Sequence, residues 1–377
     1  VLMLAWRPFY LYDVGFQLSF VVTAGLIALM PPCMEKLAAV RPKALRSALA
    51  VTIVAQLVSF PLTIAYFNQF HLLSFPANFA LVPLYSTVVL PLGSISLLLS
   101  FLAEAPAQAA AYVAERIASA GFAAADWLAR HRFGSTVWAT PPLWWIAAYY
   151  ALLAAGMRAC AGRIRRLNAA GAKVTAGVCA VCGAALLVCA YVPDALDRDG
   201  LVAVLDVGQG DAIYIRTPAG KRLLIDAGGT IRFLKEGEEW RSRKKPFEVG
   251  RDVVVPLLMR RGVHALDMFF VTHLDADHAG GARAVLSSIP VKRLFFNGTV
   301  GGGAAAEGMF RAALEAGVPI TPLARGDIIV VDAETTIEVL HPERAGGLRE
   351  EPNQNGASLV LLMTMRGRTF LFTGDIG

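Results

Sequence analysis

His273, Asp275, Asp277 and His278 fall within six residues, between the apolar run Phe269-Phe270-Val271 and the pair Gly280-Gly281. Neutral imidazole and carboxylate are donors that borderline and hard divalent ions accept. The apolar run reads as the end of a buried strand, and His273 as the start of a strand-to-helix turn. Such a turn lets alternate side chains converge on one point at the carboxyl edge of a sheet. A solvated polar turn is the bland alternative. The density of H-x-D-x-D-H-x-G-G argues against it.

Other aspartates end strands in the same way. Asp226 lies in L-I-D-A-G-G, Asp375 in F-T-G-D, and Asp206 and Asp211 flank the turn D-V-G-Q-G-D. Taken singly, each could be a turn or capping residue. Together with the His/Asp cluster they supply the donors a two-metal site requires. The elements that must position them are short. Segments 201–205, 212–217, 222–225, 253–259, 268–271, 328–332, 336–340, 358–365 and 369–372 read as strands, and 280–287 and 304–316 as helices. Strands rich in Val, Leu and Phe with few helices suit a layered α/β sandwich over 201–377.

The preceding half has a different character. The chain of 377 residues is 56% hydrophobic and 17% charged, outside the range of an ordinary soluble domain. Residues 1–200 carry 14 Lys and Arg against 8 Asp and Glu, whereas 201–377 carry 21 of each. Basic residues between apolar spans read as an orientation signal before they read as a nucleic-acid patch. The expected spans are 15–30, closed by Pro31-Pro32, then 48–67, 72–102, 142–157 and 174–192, with a domain 1–193 and a linker 194–200. Segment 105–132 reads as an amphipathic helix, because Glu115, Arg116, Asp126 and Arg130 are too many for a lipid-facing span. All five cysteines precede residue 200, and Cys179-x-x-Cys182 reads as helix packing. The start without methionine, inside hydrophobic sequence, suggests a fragment.

The positive-inside rule places 33–47 and 158–173 in the cytoplasm. The stretch 72–102, interrupted by Pro76, Pro83 and Pro91, must then cross an even number of times. A proline-broken re-entrant hairpin satisfies this, and an ordinary kinked helix with one pass more is the other reading. Everything beyond residue 200 is expected outside the cytoplasm. Gln17, Gln56, Asn68, Gln69, His71 and Asn78, in or beside the membrane region, read as helix-packing glue or as the lining of a polar path.

The fingerprint is similar to that of the metallo-β-lactamase superfamily, H-x-H-x-D-H, with Asp275 where most members carry the second histidine. The set D-V-G-Q-G-D, L-I-D-A-G-G, T-H-x-D-x-D-H-x-G-G and T-G-D resembles the corresponding domain of ComEC-type DNA-uptake channels. Asp13-Val14-Gly15-Phe16-Gln17-Leu18-Ser19-Phe20 is similar to the D-x-G-F-Q-L-S-F signature of that family's competence domain.

The resemblance implies an all-α multi-helix membrane domain followed by an αββα sandwich, incomplete at its C-terminus because the family supplies a further layer and histidine motif after T-G-D. It implies passage of single-stranded DNA across the bacterial inner membrane, with a nuclease for the strand left outside. The implied partners are the lipid bilayer, an extracytoplasmic DNA receptor and a cytoplasmic motor. His273 and Asp275 would help hold one metal, Asp277 and His278 the other, and Asp375 would bridge them; Asp277 and Asp375 are the expected catalytic residues. Asp226 would orient a histidine, Asp206 and Asp211 would support the site, and Asn355 would replace a histidine ligand. His341 is read as structural. Two ions would activate water and clamp a phosphodiester, and the carboxylate at Asp275 makes Mn²⁺ or Mg²⁺ as suitable as Zn²⁺.

Lys235, Trp240, Arg241, Arg243, Lys244 and Lys245 form a basic segment that could track phosphates, although Glu236, Glu238 and Glu239 interleave it as in a solvated loop. Competing readings are a membrane-anchored hydrolase of another ester, and a transporter whose β-lactamase-like domain no longer catalyses.

Overall fold

The computed structural model describes residues 2–130, 134–160, 169–194, 197–230, 246–301 and 303–377. The basic segment 235–245 and Arg163, Arg165 and Arg166 lie outside the described residues. The chain divides into two compact units, Val1–Ala190 and Tyr191–Gly377.

In the first unit, α1 (Leu2–Trp6) and a 3-10 turn (Pro8–Tyr12) lead into α2 (Val14–Lys36). The competence-like signature fixes this entry. Asp13 Oδ1 accepts from Phe16 N at 2.7 Å and so caps α2. Gln17 donates to Leu11 O at 2.7 Å and accepts from Tyr66 Oη at 2.8 Å, tying α2 to α3 (Lys43–Phe67). The helices touch closely, since a Cβ on Gly25 would lie 2.5 Å from Val58 Cγ2. Contrary to expectation, Pro31-Pro32 does not close α2, which runs on to Lys36. The prolines sit near the helix end, where few hydrogen bonds remain to be lost, and Lys36 complements the terminal carbonyls.

Asn68 ends α3 with φ +55. Its Nδ2 donates to Ile64 O at 3.2 Å, Trp138 O at 3.1 Å and Thr140 Oγ1 at 2.8 Å. Beside it β1 (Gln69–His71) pairs antiparallel with β2 (Ser135–Val137). Between these strands lie α4 (Ser74–Leu84), a π-helical turn (Tyr85–Val89), α5 (Leu90–Leu99) and α6 (Glu104–Arg130).

Of the two readings of 72–102, the hairpin gives way to the continuous helix, one rod Ser74–Leu99 that is 26 residues long. At 1.5 Å per residue that is about 39 Å. Pro76 falls in the first turn, and Leu90 N bonds Tyr85 O, five residues back, so the widened turn accommodates the break at Pro91. α6 packs back along the rod. Ser96 Oγ donates to Ala107 O and Tyr85 Oη to Ala118 O, each at 2.8 Å. The rod and α6 together bring the chain back from β1 to its partner β2.

α7 (Leu143–Cys160) and α8 (Ala169–Tyr191) complete the unit. Trp145 Nε1 donates to Leu186 O at 2.8 Å, and Tyr150 Oη to Val58 O at 2.8 Å. Cys179 and Cys182 are free thiols, and Gly156 lies against Cys179, in keeping with helix packing. Among the described residues, Val14–Lys36, Lys43–Phe67, Ser74–Leu99 and Lys173–Tyr191 are long and apolar enough to cross a membrane.

The second unit is built on two sheets. The larger contains β3 (Leu201–Val204), β4 (Ile213–Arg216), β5 (Arg222–Ile225), β6 (Met268–Val271), β7 (Leu294–Phe296) and β9 (Ile320–Pro322). β3, β4 and β5 are antiparallel neighbours, whereas β5, β6, β7 and β9 are parallel. β8 (Thr299–Val300) pairs with β12 (Arg349–Glu350) beside it. The second sheet has the order β10 (Ile328–Asp332), β11 (Thr335–His341), β13 (Val360–Met365), β14 (Arg368–Phe372).

Ile215, Ile225, Phe270 and Phe295 from the first sheet meet Ile337, Val339, Leu361 and Met363 from the second in a buried core. Burial of such side chains contributes about 1.5–3 kcal/mol each. The helices α9 (Val255–Arg260), α10 (Ala276–Ala279), α11 (Ala282–Ser288) and α12 (Gly303–Glu315) follow. Phe310 of α12 packs edge-on against Phe296 of β7.

Residues 253–259, expected as a strand, form a π-helical turn and α9. Pro256 fits a helical first turn, and Val254, Val255, Leu258 and Met259 bury at helical spacing. The outer face of the second sheet exposes Ile328 and Val330 at 67% and 68%, and no helix covers it among the described residues. Three layers of an αββα sandwich are therefore seen. Arg216 of β4 pairs with Asp194 at 2.6 Å and with Asp197, anchoring the segment expected as a linker.

Candidate metal centre

The parallel strands β5 and β6 end side by side, and each delivers a polar group from its carboxyl end. Asp226 follows β5 in the left-handed region (φ +54) and is fully buried. Its backbone N bonds Phe270 O at 2.8 Å, which turns the carboxylate towards the loop after β6. There Oδ1 accepts from Thr272 N and Oδ2 from Thr272 Oγ1, both at 2.7 Å. Oδ2 also lies 2.9 Å from His278 Nδ1. Asp226 thus fixes the ring of His278 and leaves its Nε2 facing away.

His273 is held in a parallel manner. Its Nδ1 lies 3.0 Å from Thr272 Oγ1 and 3.3 Å from Ser358 Oγ. The two rings are 4.1 Å apart between centroids. Nε2 of His273 and Nε2 of His278 are both buried without a hydrogen-bond partner among the described residues. Buried polar atoms are rarely left so, and the need to ligate an ion is a standard reason.

Carboxylates surround these two nitrogens. His273, Asp277 and His278 form one set of donors within 4.8 Å of one another, and Asp211, His278 and Asp375 form a second. Asp375 Oδ1 lies 3.3 Å from His278 Nε2. Glycines allow the approach. Gly210 has φ +75, and a Cβ there would sit 1.8 Å from Asp277 O; one on Gly229 would sit 1.6 Å from Ala276 O. Only bare backbone at Gly210 lets the β3–β4 turn press against Asp277 and bring Asp211 up to His278 and Asp375.

The electrostatics follow from this crowding. Burial, helped by the charge on His278, pushes the His273 imidazole down, against the pull of the nearby carboxylates. Burial would also lower His278, but its bond to Asp226 and the charges of Asp226, Asp375 and Asp277 raise it to about 9. Burial pushes the Asp211 carboxyl up, with Asp226 and Asp375 adding to the shift against His278. The pocket therefore draws positive charge. Two imidazoles and three carboxylates, with two orphaned nitrogens, fit divalent cations.

The remaining expected residues belong to neither donor set. Asp275 Oδ2 is 3.8 Å from His273 Nε2 but joins neither set. Asp206 is exposed. Asn355 is exposed in a 3-10 turn, Asn355–Ala357, and Ser358, directly after that turn, faces His273. His341 Nε2 contacts Gly356 O at 3.1 Å, away from the cluster. Asp211, expected only to support the site, stands among the direct donors.

Sequence reasoning missed two residues. Ser358 is one. The other is Gln354, buried with Oε1 accepting from Thr299 Oγ1 at 2.9 Å and Leu274 N at 3.4 Å. Only the N-Q-N-G-A-S polarity ahead of an apolar strand hinted at either.

Comparison with known proteins agrees with both halves. The Competence protein family matches residues 1–162, and the metallo-β-lactamase superfamily matches residues 205–377. ComE operon protein 3 of Bacillus subtilis (strain 168) is 30% identical over 383 residues, covering 100% of this chain and 46% of that protein. Competence protein ComA of Neisseria gonorrhoeae is 31% identical over 189 residues, covering 49% of this chain and 21% of that protein. The chain thus spans less than half the length of either relative. Among solved structures, CmlA, a diiron β-hydroxylase from Streptomyces venezuelae, is similar over 47% of this chain and 30% of its own, with 15% identity and a TM-score of 0.28.

Proposed function

By its two matched regions this chain belongs with the ComEC-type competence proteins, and from that premise we propose that it serves DNA uptake in transformation. The first unit passes a single strand across the bacterial inner membrane, and the second hydrolyses phosphodiesters of the strand left outside. The observation that carries the hydrolytic half is the pair of buried Nε2 atoms, neither of them hydrogen-bonded among the described residues, set among Asp211, Asp277 and Asp375.

His273, Asp277 and His278 would hold one divalent ion, and Asp211, His278 and Asp375 a second. Bound there, such ions would supply positive charge to phosphoryl oxygens and lower the pKa of a water. The rest is the work of the chain. Asp226 holds His278 by Nδ1, so Nε2 presents its lone pair to the pocket. Thr272 and Ser358 do the same for His273. Three carboxylates against two imidazoles make a hard donor set, which favours Mn²⁺ over softer ions.

The orientation rests on parity. The basic turn after α2 and the basic loop after α7 lie inside by the positive-inside rule. With β1 and β2 paired, the two ends of the intervening segment lie on one side, and α8 would then run outward; this supports the reading that residues after 200 lie outside the cytoplasm.

The test uses the full chain in detergent with labelled DNA and Mn²⁺. Cleavage should appear with the metal, stop with chelator, and be lost in Asp277→Ala. Tight Mn²⁺ binding without cleavage of any DNA would leave the second unit as a binding domain and end the nuclease reading.

A further inference from the structure

The carboxyl edge of the parallel strands continues past the metal-binding loop. His273 follows β6, Asn297 follows β7 and Leu323 follows β9. Over the ends of β7 and β9 lies a groove of about 260 Å³, walled on its far side by residues 342–349. In open parallel sheets this edge is where ligands sit.

Three charged side chains line the groove: Glu343, Arg344 and Arg349. Glu343 is paired with Arg325 at 2.6 Å, and Arg344 is paired with Asp327. Arg349 alone has no side-chain partner among the described residues, and its Nε is buried without an acceptor. Its backbone is fixed, with N donating to Gly298 O at 3.2 Å and β12 registering Arg349 against Thr299. A buried Nε–H without an acceptor carries a desolvation cost that a bound anion would offset. Its planar fork suits phosphate.

The groove is coupled to the metal loop through few atoms. Thr299, opposite Arg349, donates to Gln354 Oε1, which also accepts from Leu274 N, the residue after His273. Neighbouring strands are about 4.8 Å apart. The groove therefore begins one strand beyond the one that delivers His273. A nucleic-acid strand, with a phosphate every few ångströms, would reach it from the metal cluster within one or two nucleotides.

We infer that this groove is a subsite for a nucleic-acid strand, in which Arg349 contacts a phosphate flanking the one under attack. The inference rests on the phosphodiesterase reading for its substrate. Arg349 is a binding residue, separate from the metal donors.

The test is equilibrium binding of a fluorescent single-stranded oligonucleotide to the full chain in detergent, with chelator present, across a salt series. Arg349→Ala should bind about tenfold more weakly, with a log–log salt slope shallower by about one. Arg349→Lys should keep most of the slope, and Arg260→Ala, an exposed arginine on α9, should behave as the parent. Arg349→Ala with unchanged affinity and slope overturns the inference. Should Arg349→Ala fail to fold, Arg349→Gln against Arg349→Lys reads the same slope, and no difference between them overturns it. The two readings separate cleanly. DNA cleavage by the parent with no effect of Arg349 ends the inference alone, whereas weakened binding without cleavage under any metal ends the nuclease reading and keeps the groove.

Discussion

Asp226 Oδ2 lies 2.9 Å from His278 Nδ1, with each side chain 1% exposed. The same carboxylate takes two further hydrogen bonds from Thr272, on a backbone at φ +54. One buried acid thus sets the tautomer of a ring that both donor sets share.

Asp226→Asn keeps the shape but turns one acceptor into a donor. Against Thr272 and His278 it must leave a buried group unpaired, at about 1–3 kcal/mol. Mn²⁺ affinity should fall by about ten- to a hundredfold. Isothermal titration of the full chain checks this, and unchanged affinity would remove Asp226 from its orienting role.

Two glycines separate close approach from mere turn geometry. Gly210 and Gly220 both have positive φ, at +75 and +80, but only Gly210 faces backbone, where an added Cβ would lie 1.8 Å from Asp277 O. Gly220→Ala should cost about 1–2 kcal/mol in the turn and keep Mn²⁺ binding. Gly210→Ala should abolish that binding by displacing Asp277. Metal-dependent thermal shifts distinguish the two.

Asp267 gives a pH dependence. Burial alone would raise its carboxyl, but Lys292 Nζ at 2.7 Å, Arg222 N at 3.0 Å and the charge of Lys221 hold it below the ordinary range. A depressed folded-state pKa means stability present above the unfolded value of about 3.9 and lost as pH falls through the folded one. Asp267→Asn should flatten that acid-side loss. Denaturant melts at pH 6 and pH 3 should show a smaller drop in the variant than in the parent, and equal drops would refute the assignment.

The pairing of β1 with β2 predicts a cross-link. His71 registers with Ser135. A His71→Cys, Ser135→Cys double variant should form a disulfide on mild oxidation. Each single cysteine should be labelled by an impermeant maleimide from the side opposite to Ala39→Cys, which lies in the turn after α2. Labelling of position 71 or 135 from the same side as 39 would contradict the topology.

Much of the centre was legible because its donors are local. His273 to His278 span one turn, and their spacing survives whatever the fold does. Asp226 and Asp375 were legible as strand ends beside glycine. Ser358 and Gln354 were not, because they reach the loop from 85 and 80 residues away. Asn355 was expected in place of a histidine ligand, but the 3-10 turn at 355–357 leaves it exposed and presents Ser358 instead. Asp211 was read as supporting, since nothing in D-V-G-Q-G-D shows which way its turn faces until Gly210 is pressed against Asp277. The strand assigned to 253–259 failed for a different reason: a short apolar run has no periodicity to separate strand from buried helix. In the membrane half, the prolines marked weak points but left hairpin and kinked helix both open, because nothing in the sequence shows that a π-helical turn can absorb the break.

Asn68 and the short β1–β2 ladder also make the long helical rod and α6 a detachable excursion. Its two ends are stitched together, so on the proposed topology shortening it would leave β2 on the same side as β1. On that topology, sidedness at Tyr191 would follow from the helices outside the excursion and the basic turns beside them.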